Sequence, residues 1–172
     1  IVTGIIEEEE FQKNGGKMRR RSTAKASVEN VLTVIQRVTG LPYKNYDIHI
    51  NFPGGIPVDG PSAGIAIFSA LYSAIYQKPI SSTIAMTGEI SIQGKILPVG
   101  GVHAKINGAI EAGVKTVFIP KANWQDLFKD YGIQIVPVET VEQLLELIFK
   151  EREHSLPIVT DAKREVLTAK GV

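Results

Sequence analysis

The amino-acid sequence predicts an α+β fold, with mixed sheets and helices packed against them. Antiparallel hairpin signals come early in the chain, and a strand-helix-strand-helix run comes late. At 172 residues the length suits one domain of ordinary size that buries a real core. The apolar fraction of 44% agrees with a globular protein. The domain is expected to span residues 1–152, with 153–172 as a C-terminal tail where the periodic pattern fades.

Each element has its own signal. The acidic run Glu7 to Glu10, the turn residues Asn14 to Gly16 and the basic run Arg19 to Arg21 predict a solvated hairpin with opposite charges facing each other. From Ser22 onward Val28, Val31, Leu32, Ile35 and Val38 recur at helical spacing, and Gly40 with Pro42 stops that helix. The alternation in "DIHINF", Asp47 to Phe52, predicts a strand with Ile48, Ile50 and Phe52 on one face. "PGGIPVDG" is loop chemistry. Pro61 then suits a first helical turn, and Ile65, Phe68, Leu71, Tyr72 and Ile75 predict a largely buried helix after it.

"TIAMTGEISIQGKILPVGG" reads as short strands broken at Gln93-Gly94. A short helix is expected from about Val102 to Ala112, with Gly113 as its stop. "KTVFIP" is a strand, "NWQDLFKDY" a helix capped by Asn123, and "IQIVPV" a further strand. "TVEQLLELIFKER" completes the pattern as a helix with a capping box between Thr140 and Gln143.

Composition narrows the chemistry. Nineteen basic against eighteen acidic residues give no pull toward nucleic acid or a membrane surface. The absence of cysteine removes disulfides, thiol nucleophiles and thiolate metal sites, and suits a reducing compartment, so a cytoplasmic location is expected. The most apolar stretch, Ala63 to Tyr76, is short of the roughly 20 residues of a membrane span. The start "IVTGIIEEEE" has no initiator methionine and no signal-peptide pattern, so a fragment or processed product is expected.

Two residues stand out chemically. Ser62 follows a glycine-containing loop at a helix start, where free N–H groups and the helix dipole stabilise an oxyanion. A helix cap by Ser62 or Asp59 explains the same pattern. A serine nucleophile needs a base, and His49, His103 and His154 are candidates, with Asp59 to orient one of them. His154 lies in the tail and His49 on the polar side of its strand, which leaves His103.

Lys105 competes with it. Two helical positions separate His103 and Lys105, about 200° of rotation, so both cannot face one serine. Lys105 shares its side of the helix with Gly101, Val102, Gly108, Ala109 and Ala112. Close packing on that small strip would strip water from the ammonium and lower its pKa, making a neutral general base. A lysine that snorkels to solvent is the plain alternative.

Together, "DGPSAG" (Asp59 to Gly64), "TGEISIQGKILPVGG" (Thr87 to Gly101), the lysine at 105 and "AGVKTVFIP" (Ala112 to Pro120) resemble the proteolytic domain of Lon, the ATP-dependent serine protease family. The likeness runs from about Ser22 to Lys150 with order and spacing intact. It implies the Lon proteolytic-domain fold, of the ribosomal protein S5 domain 2-like class, and a serine endopeptidase acting on unfolded or damaged proteins. By resemblance Ser62 is the acylated nucleophile and Lys105 the general base of a Ser-Lys dyad. Thr87 matches the hydroxyl that hydrogen-bonds the lysine, and Asp59 the acidic position before the serine, where it shapes the loop or pairs with Lys105. Backbone N–H groups around Gly60, Pro61 and Ser62 are expected to hold the oxyanion, and an extended substrate to pair with Asp47 to Phe52.

The loop "NFPGGIPVDGPSAG" is one residue shorter than the common family form, with glycines where many members have glutamate, which points to a Lon B type. The family brings an ATPase module that uses ATP and Mg, but no GxxxxGK[ST] occurs here. No cofactor or metal is therefore expected in this chain. Expected partners are peptide or unfolded protein substrates, the chain's own ATPase module, and further copies in a hexamer, with no nucleic acid or membrane segment.

Overall fold

The computed structural model describes residues 1–3, 8–13, 16–52 and 60–149. Over these residues the order is β1 (Val2–Thr3), β2 (Glu8–Lys13), β3 (Gly16–Arg21), α1 (Thr23–Thr39), β4 (Ile50–Asn51), α2 (Gly64–Tyr76), β5 (Ile84–Met86), β6 (Glu89–Ile90), β7 (Ile96–Leu97), α3 (Val102–Glu111), β8 (Thr116–Pro120), β9 (Gln134–Val138) and α4 (Val141–Phe149). Single 3₁₀ turns lie at Tyr43–Asn45, Pro61–Ala63, Lys121–Asn123 and Asp126–Asp130. Helices and both parallel and antiparallel strand pairs make this a mixed α+β arrangement, as the sequence predicts.

Most of the sequence signals map directly. Ser22 caps α1, its side chain accepting from the Lys25 N–H, and Gly40 ends the helix at φ 72°. In the β2–β3 hairpin the backbone register sets Glu8 opposite Arg21, Glu9 opposite Arg20 and Glu10 opposite Arg19. The expected turn at Asn14 and Gly15 lies outside the described residues. β6 and β7 form the second hairpin around Gln93-Gly94.

A three-stranded parallel sheet in the order β5-β8-β9 divides the interior. Side chains alternate along β8, because successive residues of a strand point to opposite faces. Phe118 joins a core built mainly by α1, α2 and α4, with Ile35, Ile65, Phe68 and Leu144 at its centre. Val117 and Ile119 join a second core with Ile106 of α3, Phe128 and Ile135. Helices therefore cover both faces, and α2 and α3 lie on opposite sides of the sheet.

Four expectations change. Of Asp47 to Phe52 only Ile50–Asn51 is a strand, paired in parallel with β1, and the pairing is extended by the Ile1 N-terminus on the Ile48 carbonyl at 2.8 Å and the Phe52 N–H on the Thr3 carbonyl at 3.0 Å. The burial alternation survives, with Ile48, Ile50 and Phe52 half-buried between exposed neighbours. α2 is buried in its first half only; Ile75 and Tyr76 are exposed, since little covers its C-terminal end. "NWQDLFKDY" makes a 3₁₀ turn, and Asn123 does not cap it. The Asn123 amide is engaged elsewhere, accepting from the Val99 N–H at 2.8 Å and donating to the Val99 carbonyl at 3.0 Å. At α4, Thr140 caps the Gln143 N–H, but the Gln143 side chain accepts from Glu139 instead of completing a box. The expected tail, with His154, lies outside the described residues.

Candidate active site

The chain before α2 turns on Gly60, whose φ of 113° is a conformation glycine adopts freely. Pro61, Ser62 and Ala63 follow as a 3₁₀ turn closed by the Gly64 N–H on the Pro61 carbonyl, so α2 proper starts two residues after Ser62. Three hydrogen bonds fasten this turn to the segment after β5. The Ser62 carbonyl accepts the Gly88 N–H at 2.9 Å and the Thr87 hydroxyl at 3.2 Å, while the Ile65 N–H donates to the Gly88 carbonyl at 3.1 Å. Thr87 is itself buried and held by its own N–H on the Phe118 carbonyl at 3.0 Å.

From the other face of the sheet α3 supplies Lys105. Its Nζ donates to Thr87 Oγ1 at 3.3 Å. A hydroxyl has one proton, and that of Thr87 lies on the Ser62 carbonyl, so its oxygen is left to accept from the lysine. Ser62, Thr87 and Lys105 line one cavity of about 240 Å³, walled by Ala66, Ala85, Met86 and Val117. Three elements distant in sequence thus meet at the β5 edge of the sheet.

Desolvation in this apolar setting lowers the Lys105 pKa from its ordinary value of 10.5. The residue as a whole remains exposed, so its ammonium keeps part of its hydration and the lowering is partial. The source of desolvation differs from the expectation. Of that strip Val102 and Ala109 are packed into the second core, but Gly101, Gly108 and Ala112 are exposed and a Cβ added at Gly108 would meet nothing within 4 Å, so the strip does not enclose the ammonium. The cavity walls do this instead.

β5 is an outer strand. Its neighbours Thr83 and Thr87 bond toward β8, through the Thr83 carbonyl and the Thr87 N–H. In a parallel ladder alternate residues face alternate sides, so Ile84 and Met86 turn their backbone groups away from β8 to an edge that no strand pairs among the described residues, where the Ile84 N–H is taken by the Ser81 carbonyl at 3.2 Å.

The histidines fall elsewhere. His103 points away from Lys105, with Nδ1 2.9 Å from the Tyr131 hydroxyl, Nε2 3.1 Å from Gln125 Oε1 and its ring against Phe128. It is not among the residues lining the Ser62 cavity. His49 is exposed and borders separate cavities beside α1 and α2. Asp59 lies outside the described residues. Of Gly60, Pro61 and Ser62, proline has no N–H, so only the other two are backbone donors. Among the described residues no group of three or more His, Cys, Asp or Glu could hold a metal ion, and no helix is long and apolar enough to cross a membrane.

Sequence reasoning passed over Ser27 and Gly88, which fasten the turn from α1 and from the β5–β6 link. A lone serine on a helix and a glycine beside a strand carry no signal of that contact in the sequence.

Comparison with known families decides the kinship. The model of the Lon protease C-terminal proteolytic domain matches residues 13–151. The chain belongs to the Lon protease family. It is 52% identical over 148 residues to Lon protease 2 of Bacillus subtilis, covering 86% of this chain and 27% of that protein. It is 44% identical over 133 residues to the archaeal Lon protease of Thermococcus kodakarensis, covering 74% of this chain and 21% of that protein. With the archaeal Lon protease of Archaeoglobus fulgidus the identity is 37% over 180 residues, covering 98% of this chain and 29% of the relative. The Lon domain described here thus spans less than a third of each of these relatives.

Proposed function

We propose that this Lon domain is a serine endopeptidase that hydrolyses unfolded protein segments through an acyl-enzyme on Ser62, with Lys105 as general base. The observation that carries the proposal is the meeting of Ser62, Thr87 and Lys105 in one cavity, with Thr87 bonded to both sides. A neutral Lys105 that donates one N–H to Thr87 still has its lone pair for the serine proton. Lys105 takes that proton as Ser62 Oγ bonds to the scissile carbonyl carbon, and the oxyanion forms. The Gly60 and Ser62 N–H groups are the proposed oxyanion donors. As the C–N bond breaks, the Lys105 ammonium returns the proton to the departing amine. Water then attacks the ester, Lys105 accepts its proton, and the proton goes back to Ser62 Oγ as the acid leaves.

An extended substrate is proposed to align along the outer edge of β5, where Met86 turns its backbone groups outward beside the cavity. No residue from 47 to 52 lines that cavity, which favours β5 over the strand expected from sequence. ATP and Mg are proposed to act at an ATPase module outside this chain, and assembly into a hexamer in the cytoplasm is proposed on family resemblance. Asp59 stays assigned to the loop or to a resting pair with Lys105. The Ser62-His103 alternative is disfavoured, because both His103 ring nitrogens are engaged by Tyr131 and Gln125.

Peptide cleavage by three variants tests the assignment. Ser62→Ala and Lys105→Ala are expected to abolish cleavage, while His103→Ala leaves it largely intact. Loss in His103→Ala with retention in Lys105→Ala would exchange the base. A folded, assembled wild-type protein that cleaves nothing would leave a binding or oligomerisation module.

A further inference from the structure

We propose that Ser27 of α1 is a positioning residue for the nucleophilic turn, setting the direction of the Ser62 N–H through the carbonyl of Pro61. The inference rests on the proteolytic proposal above. Ser27 is buried, 4% exposed, and its hydroxyl donates to the Pro61 carbonyl at 3.3 Å across 34 residues of sequence. Two hydroxyls further along the same helix behave differently. Thr33 and Thr39 bond back to the carbonyls of Glu29 and Ile35, the usual local choice on a helix. Ser27 reaches outward, to the residue that precedes the nucleophile.

The Pro61 carbonyl already accepts the Gly64 N–H, so Ser27 occupies its second lone pair. The next carbonyl, that of Ser62, is held in the same manner by one backbone donor and one hydroxyl, Gly88 and Thr87. Both peptide groups flanking Ser62 are therefore fixed from two directions. In a planar trans peptide the N–H points opposite to the carbonyl of the preceding residue. Turning the Pro61 carbonyl toward α1 sends the Ser62 N–H away from α1, and no α1 residue is among those lining the cavity.

Two donors on that carbonyl also polarise the amide, which strengthens its N–H as a donor to a developing oxyanion. The packing leaves no slack for the turn to slide. A Cβ on Gly64 would lie 3.3 Å from Ser27 Oγ, 3.1 Å from the Gly88 oxygen and 3.0 Å from the Ile90 nitrogen.

The test compares kcat and KM for a fluorogenic peptide with the inhibition constant of a peptide aldehyde of the same sequence, using the intact protein supplied with ATP and Mg. The hemiacetal formed by the aldehyde places an oxyanion at the same N–H. Ser27→Ala is expected to lower kcat roughly tenfold with KM unchanged, and to weaken the aldehyde by a similar factor. Ser27→Thr, which keeps the hydroxyl, should restore most of both. Ser27→Cys, close in size with a weak donor, should fall between them and serves if the alanine variant folds poorly. A merely structural bond would lower the thermal midpoint and the active fraction while leaving the ratio of aldehyde inhibition constant to KM at the wild-type value, and that result overturns the inference. So does Ser27→Ala with wild-type kcat. An inactive wild-type protein instead overturns the proteolytic proposal, and the positioning role falls with it.

Discussion

Lys105 is the residue whose chemistry depends most on its surroundings. Only its neutral form accepts a proton, and desolvation lowers its pKa, so cleavage should rise with pH along a limb whose midpoint lies below 10.5. A pH profile of kcat/KM on a short peptide checks this, and a limb at the value of free lysine would contradict it. Thr87→Val keeps the size of a buried side chain but removes the bonds to both Lys105 and the Ser62 carbonyl. It should lower kcat roughly tenfold, by misplacing groups set to sub-ångström tolerance, at a stability cost of about 1 kcal/mol. Steady-state kinetics beside thermal unfolding separates the two effects. At this scale the motif "DGPSAG" and the lysine 43 residues after its serine made the candidates legible. Local chemistry alone left Ser62 open between a helix cap and a nucleophile, and nothing in the sequence marked Ser27, because its partner is a backbone carbonyl from a distant turn.

Elements place these residues by simple geometry. The roughly 200° between His103 and Lys105 on α3 was readable in the sequence, and the two side chains do serve opposite faces. The desolvation of Lys105 was not, because the walls of its cavity come from β5, β8 and the start of α2, which only the fold brings beside α3. The 3₁₀ turn at Asp126–Asp130 was hidden likewise, since Asn123 looked like a cap but is bound to Val99. Gly64 shows how packing decides against propensity. Its φ of −52° suits any residue, and alanine would gain up to about 1 kcal/mol of helix propensity. The backbone atoms of Ile90 and Gly88 that a Cβ would meet cannot swing aside, so overpacking wins. Gly64→Ala should cost about 1–3 kcal/mol in urea unfolding and reduce cleavage by displacing Ser62.

Across the whole molecule the sheet separates two cores, and the site lies where elements from both meet. The α+β class followed from element order, but the sequence could not tell which face α2 and α3 cover, because a buried helix shows the same periodicity on either side. Ile106 links the second core to the site, being fully buried one residue after Lys105. Ile106→Ala should cost about 2–5 kcal/mol and loosen the seat of Lys105. Urea titration at the pH of the activity assay would measure the first effect and cleavage by the folded fraction the second. The account depends above all on a nucleophilic Ser62 activated by Lys105. Covalent labelling by a peptide-like electrophile, mapped by mass spectrometry, tests that most directly. It should place a single adduct on Ser62 that is absent in Ser62→Ala and strongly slowed in Lys105→Ala; labelling of another residue, or unchanged labelling without Lys105, would contradict it.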